Sequence, residues 1–253
     1  MRDDRSLDEK LAPQDFVTDF VWAARAVFRQ PSVALVSIAL WCFPPLFSHL
    51  AARRSGVTVL VCLVTVLFML GWDGIERMFF LAHRDDKKVT LAQLLASVPF
   101  FVGRFVRLAF LLGMVVFPVL LCLFILADRS HPAAPNVARV AAQRLELSMV
   151  VVPIDIALTF VTSALVFSTR SAWRALRIGV AMIRQTWPRS GLYVLCPPLA
   201  LNMLNVIYPT NILAVRLVTT AGLALLALLA KGSTAAFYLR ERPVSPDVVA
   251  DAL

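Results

Sequence analysis

Apolar residues in this sequence are gathered into long runs that polar segments separate. Each run is about 20 residues long or longer, which is the length that an α-helix needs to cross a bilayer. We therefore predict an all-α, polytopic membrane protein with six transmembrane helices. The predicted spans are 31–50, 56–81, 101–127, 148–168, 190–209 and 211–239.

Three shorter amphipathic segments precede the odd-numbered spans, at 14–28, 90–98 and 172–186. Apolar residues recur at helical spacing on one face of each segment, so we expect interfacial helices that lie in the headgroup region. In the third segment, arginines lie beside an apolar stripe that ends in a tryptophan. The lipid-interface residues predicted there are Trp173, Arg174, Arg177, Arg184 and Trp187.

Prolines mark the outer half of each odd-numbered span. Pro44, Pro118 and Pro197 are separated by 74 and 79 residues. Proline removes a backbone donor, but membrane helices tolerate it where neighbouring groups satisfy the freed carbonyls. Either these prolines bend three helices at the same depth around an outward-facing vestibule, or they only end or bend the helices near the outer headgroups.

One order of elements occurs three times along the chain: an amphipathic helix, a span with an outer proline, and a span that ends on an aromatic and an arginine. Recurrence of this kind is typical of repeat architectures. We predict a single membrane domain over 1–253 with pseudo-repeats at 14–84, 89–170 and 171–242. Each repeat crosses twice, so the three hairpins would be parallel. Chance similarity among Leu- and Val-rich helices is the alternative.

Composition and charge strengthen the membrane interpretation and indicate an orientation. The chain is 59% hydrophobic and 16% charged, whereas a soluble domain carries about 25% charged residues. The net charge is +9, and 19 of the 25 basic residues fall on the predicted side of the termini. Because basic residues collect in cytoplasmic loops, we expect a multi-pass protein of the bacterial cytoplasmic membrane with both termini cytoplasmic. The surplus then favours contact with lipids and not with nucleic acid.

Ionisable residues lie inside the apolar runs, where each costs about 2.5–3.5 kcal/mol to insert, and Asp73, Glu76 and Arg77 occur together in the second span. Asp155 and Arg216 lie at similar depths in the fourth and sixth spans, so we predict that they pair. Asp73 and Glu76 match Lys231 in height above the inner ends of the second and sixth spans, which predicts a second pairing. Either these charges are structural bridges, or Asp155 is a proton or ligand site whose charge state Arg216 sets.

The chain offers little catalytic chemistry. Its four cysteines, at 42, 62, 122 and 196, lie within predicted spans, and none belongs to a CxxC pair or has a histidine at ligand spacing. Motifs for a nucleophile, a metal or a bound phosphate are missing from the sequence. We therefore expect no enzymatic activity, no metal and no cofactor.

The segment 157–199, "ALTFVTSALVFSTRSAWRALRIGVAMIRQTWPRSGLYVLCPPL", carries a family resemblance. It combines a span that ends in an aromatic, a basic amphipathic helix with a Trp-Pro exit, and a following span that contains proline. In this it resembles a bacterial and archaeal family of six-span integral membrane proteins, mostly of unknown function. The membrane domain found ahead of some glycerophosphoryl-diester phosphodiesterases is similar. The resemblance implies the six-span fold and topology, and it supplies no catalytic residues.

Two functions fit these patterns. The first is a non-enzymatic membrane protein that binds or organises lipids or partner proteins at the inner leaflet. The alternative is a permease or transport subunit, working with another membrane protein or a transporter ATPase. It would move a small or lipid-like solute through a cavity between proline-bent helices. A pocket at membrane depth that holds Asp155 or Lys231 unpaired would favour transport.

Overall fold

The computed structural model describes residues 14–50, 56–87, 89–130, 136–207 and 212–249, and all regular structure in these ranges is α-helical. This agrees with the predicted all-α class. Each of the six predicted spans coincides with a long helix. The helices are α1 Gln14–Arg29, α2 Pro31–Leu50, α3 Gly56–Arg84, α4 Leu91–Ala96, α5 Val98–Ser130, α6 Asn136–Phe167, α7 Ala172–Thr186, α8 Gly191–Ile207, α9 Leu213–Glu241 and α10 Pro246–Val249.

Two helices in the described residues are long and apolar enough to cross a membrane: Val59–Arg84 within α3, and all of α9. A third candidate is the bent pair formed by Asp15–Arg29 and Pro31–Phe47. Two further apolar stretches lie within the described residues, Val152–Phe167 in α6 and Gly191–Leu201 in α8. The structure thus supports two or three candidate spans, and six crossings are not confirmed.

The first two helices meet at an angle of 96°. The turn falls at Gln30, and Pro31 opens α2, where the first turn of a helix needs no N–H from it. The Gln30 side chain donates from Nε2 to the Val89 carbonyl at 3.0 Å, which ties this turn to the segment before α4. A polar turn thus separates the amphipathic helix α1 from the apolar helix α2.

The carboxyl ends of α3, α6 and α9 converge at one end of the bundle. Arg84 at the end of α3 donates to the Leu239 carbonyl of α9 at 3.4 Å. Ser168, just after α6, shares a 2.8 Å hydrogen bond with the Tyr238 hydroxyl of α9. These contacts hold the C-terminal ends of α3, α6 and α9 close together.

The amphipathic helices α1 and α7 lie at this same end. Asp19 of α1 bonds Arg240 near the end of α9, with 2.8 Å between Oδ2 and Nη2. Gln185 of α7 accepts a 2.8 Å hydrogen bond from Arg242, the residue that follows α9. Helices α2, α5 and α8 begin directly after α1, α4 and α7 in the chain. The threefold sequence repeat itself stays a prediction.

The second predicted amphipathic segment is shorter than the sequence pattern suggested. Helix α4 covers only six residues, and Thr90 caps it by accepting a 3.3 Å hydrogen bond from the Gln93 backbone N–H. The helical structure is interrupted at Ser97, and Pro99 lies in the first turn of α5. Proline is tolerated in a first turn because the N–H groups there have no partner within the helix. The apolar stripe of 90–98 therefore divides between two helices.

Small residues let the helices approach closely. A Cβ on Gly179 of α7 would stand 2.6 Å from the Val161 backbone nitrogen of α6. The same face of α7 buries Ala175 and Met182. Close approach at small residues is the usual way in which membrane helices pack, because van der Waals contact replaces the hydrophobic driving force there.

Candidate functional site

A lysine and two carboxylates meet in the interior of the bundle. The Lys231 ammonium of α9 lies 2.5 Å from Asp73 Oδ1 and 2.5 Å from Glu76 Oε2, both on α3. These residues were expected to match in height, and the structure brings all three together. A rise of about 1.5 Å per residue places Asp73 about 16 Å from the Arg84 end of α3.

Further polar side chains complete this charged cluster. Arg77 donates to Asp73 Oδ2 at 2.6 Å and to the Thr162 hydroxyl of α6 at 2.6 Å. The Ser37 hydroxyl of α2 donates to Glu76 Oε1 at 2.6 Å. Every carboxylate oxygen of the cluster therefore accepts a hydrogen bond, as buried ions require.

Arg77 stands out in the sequence as a charge of the second span, but it was not included in the predicted pairing with Lys231. The signal was present, since Asp73 and Arg77 are four positions apart on a helix and so share a face. With Arg77 included, the cluster holds two carboxylates and two cations, so its formal charge is zero. It joins α2, α3, α6 and α9 at one level.

An apolar cavity of about 430 Å³ opens beside the charged cluster. Asp73 and Lys231 remain 22% and 23% exposed although they lie deep between the helices, because both line this cavity. Glu76 and Thr162 lie on the same wall, and the other lining side chains are apolar. Those side chains are Leu40, Trp41, Val66, Met69, Leu70, Trp72, Phe105, Leu108, Ala109, Leu112 and Leu158.

The structure does not show the predicted Asp155–Arg216 pair in contact among the residues that it describes. Within the ranges that the structure describes, no salt bridge joins these two side chains, and Arg216 is exposed on α9. The contact of α6 with α9 runs through Phe160, whose ring stacks on Phe237 with 5.5 Å between centroids. Asp155 lies five positions earlier, about 140° around α6 from Phe160. Equal depth therefore did not bring the two charges onto facing sides.

The prolines lie inside helices, as expected, but away from the cavity. Pro44 is within α2, Pro118 within α5 and Pro197 within α8. None of them is among the described residues that line the cavity, and α8 contributes no lining residue. The described cavity is therefore not the proline-bounded vestibule that the spacing suggested.

Helix α7 carries an exposed face on which tryptophans and arginines alternate. Trp173, Val180 and Trp187 are 51%, 48% and 55% exposed, and Arg177 and Arg184 are exposed beside them. The five positions fall within about 80° of arc at 100° per residue. The Arg177 guanidinium lies 5.2 Å from the Trp173 ring, within the range of a cation–π contact. We call these five residues the α7 lipid face, after the lipid contact that the sequence pattern predicts for this segment. Arg174 is also exposed, toward one side of it.

A second polar cluster, which was not predicted from the sequence, lies close to the start of α8 and the end of α9. The Tyr193 hydroxyl donates to Asp19 Oδ2 at 2.5 Å, and Arg240 donates to both oxygens of the same carboxylate. Asp19 and Tyr193 are buried. These contacts lock α1 onto α8 and α9. Nothing in the sequence marks Tyr193 and Arg240 as partners of Asp19.

Comparison of the chain with models of known protein families, with curated proteins and with solved structures finds no match.

Proposed function

We propose that this chain is a non-enzymatic integral membrane protein that binds anionic lipid at the inner leaflet. Six helices would cross the bilayer, and the end of the bundle that carries α1 and α7 would face the cytoplasm. The observation that carries the proposal is the α7 lipid face. An exposed stripe of tryptophan and valine with interleaved arginines suits a headgroup region and is costly in water.

A second exposed apolar stripe lies on α1, at the same end of the bundle. Val17, Val21 and Phe28 are 61%, 41% and 80% exposed. They fall within about 40° of one another around the helix. Arg25 and Arg29 are exposed nearby. Each basic residue near an anionic surface contributes about 1 kcal/mol of attraction, so α1 and α7 together would favour anionic lipid.

The experiment is to reconstitute the protein in nanodiscs that contain equal amounts of phosphatidylglycerol and phosphatidylcholine. Release into gentle detergent and native mass spectrometry then gives the ratio of the two lipids that stay bound. The double variant Arg177→Gln/Arg184→Gln should lose most of the preference for phosphatidylglycerol. The control Arg107→Gln/Arg216→Gln removes the same amount of charge from exposed positions outside α7. This control should retain the preference for phosphatidylglycerol. Equal loss in both variants would show a general effect of net charge and overturn the proposal.

Transport of a small or lipid-like solute is the second candidate, and the cavity beside the charged cluster favours it. Lys231 is paired there, which departs from the unpaired ion that a transport site was expected to show. A permease could still exchange this pairing for contacts with a solute, alone or with a partner ATPase. Flux into sealed proteoliposomes, compared with an Ala109→Phe variant that fills the cavity, would test this function separately from lipid preference.

A further inference from the structure

We propose that the cavity beside the charged cluster binds a neutral amphiphile: a single apolar chain that ends in a hydroxyl or carbonyl oxygen. Its polar end would accept a hydrogen bond from Lys231, and its chain would lie along α3 and α5. This inference rests on the cavity and not on the α7 lipid face, whose residues do not line it. An experiment that disproves the anionic-lipid preference would therefore not disprove binding of an amphiphile in the cavity.

The hydrogen bonds of Lys231 leave one donor for a ligand. An ammonium group carries three N–H bonds. Asp73 and Glu76 accept two of them, and no other acceptor for this ammonium occurs among the residues that the structure describes. Because Lys231 lines the cavity, an oxygen atom there is within reach of the third N–H. An unmet donor at this depth is costly, which favours an occupant that satisfies it.

The charge of the cluster selects a neutral occupant. Asp73 and Glu76 balance Arg77 and Lys231, so the cluster has no net formal charge. A carboxylate or an ammonium ligand would leave one uncompensated charge in a poorly solvated site, where unpaired ions are strongly disfavoured. A hydroxyl, ether or carbonyl oxygen accepts a hydrogen bond without adding charge.

The lining residues and the volume of the cavity determine the polarity and the size of the remainder of the ligand. Apart from the cluster and Thr162, the lining side chains are apolar, and they follow α3 outward as far as Val66. At about 30 Å³ for each non-hydrogen atom, the share of one water molecule in the liquid, the cavity holds about 14 such atoms. A medium-length alkyl chain with one oxygen fits this volume, whereas a whole phospholipid does not.

The test uses bromine as a quencher of tryptophan fluorescence, because Trp41 lines the cavity. One variant keeps Trp41 alone, and a matched variant keeps Trp173 alone on the α7 lipid face, with phenylalanine at the other tryptophan positions. In nanodiscs, 11-bromoundecan-1-ol should quench Trp41 saturably and Trp173 only in proportion to its concentration in the bilayer. Native mass spectrometry of the unsubstituted protein with dodecan-1-ol provides a second readout that needs no tryptophan variant.

Two substitutions and two probes make the outcome decisive. Ala109→Phe should abolish the saturable quenching. The charge-balanced pair Lys231→Met/Glu76→Gln should weaken binding of the alcohol by about tenfold, since one charge-assisted hydrogen bond is lost, without weakening binding of 1-bromoundecane. Quenching of Trp41 that never saturates would overturn the proposal. The proposal would also be overturned if the unsubstituted protein bound 11-bromoundecanoate or 1-bromoundecane as tightly as 11-bromoundecan-1-ol, or more tightly.

Discussion

Lys231 on α9 and Glu76 on α3 lie 155 positions apart in the sequence and 2.5 Å apart in space, from Nζ to Oε2. Glu76 is almost fully buried, so loss of this contact would leave a carboxylate without its partner cation in the interior. We predict that Lys231→Met alone lowers the free energy of unfolding by about 3–5 kcal/mol, because it leaves a buried carboxylate unpaired. Adding Glu76→Gln should recover a large part of that loss. Unfolding in detergent micelles, followed by circular dichroism, measures both.

The matched control for the Lys231→Met variant is Arg216→Met, which removes a cation from the same helix at an exposed position. It should cost less than about 1 kcal/mol, as exposed charges usually do. A Lys231→Met protein as stable as Arg216→Met would show that the buried contact does not stabilise the bundle.

Asp155 and Arg216 should behave as independent residues. Neutralising each one alone and then both together, by Asp155→Asn and Arg216→Gln, should give stability changes that add within about 0.5 kcal/mol, as expected for side chains that do not touch. A double-mutant cycle in the same unfolding assay measures the coupling. Coupling above about 1 kcal/mol would restore the pairing that their depths suggested.

Gly179 should tolerate no side chain. Gly179→Ala would place a Cβ 2.6 Å from the backbone of α6, which cannot move aside as a side chain can. We expect a loss of about 1–3 kcal/mol through overpacking. Gly222→Ala on α9 is the control, since nothing lies within 4 Å of its added Cβ. It should be neutral or stabilise by up to about 1 kcal/mol. Similar behaviour of the two variants would argue against the close contact of α6 with α7.

Tyr193 and Tyr238 offer a matched pair of hydroxyl deletions. The Tyr193 hydroxyl donates to the Asp19 carboxylate, whereas the Tyr238 hydroxyl shares a hydrogen bond with a neutral serine. Tyr193→Phe should therefore cost about 1.5–3 kcal/mol, and Tyr238→Phe about 1 kcal/mol. The measurement is again equilibrium unfolding. A larger loss for Tyr238→Phe would mean that Asp19 finds an equivalent donor without Tyr193.

The sequence was sufficient to predict the helices and one of the two charge pairings. Apolar runs and amphipathic stripes are local patterns, so they located all six long helices and the short helices α1 and α7. The heights of Asp73, Glu76 and Lys231 could be counted from the helix ends because the rise per residue is fixed. Counting along a helix in this way needs no knowledge of its neighbours.

The direction in which a side chain points around its helix could not be predicted from the sequence. Asp155 and Arg216 match in depth but not in direction, and direction follows from how α6 and α9 pack. Arg104, at the start of the third predicted span, shows the same limit, since the sequence indicated only that it lies on the predicted side of the termini. It is buried and donates to the carbonyls of Leu165 and Val248, each at 3.2 Å. Neither backbone carbonyl is distinguishable in the sequence from its neighbours.

The most direct test of the account is the position of α7 relative to the bilayer. Nitroxide labels at Val180, on the α7 lipid face, and at Gln185, about 140° around the helix, would be compared in liposomes. Collisions with oxygen report lipid, and collisions with a water-soluble nickel complex report water. The account predicts that the label at 180 meets oxygen more and the label at 185 meets nickel more. Nickel accessibility at 180 equal to that at 185, or two labels both buried in lipid, would contradict it.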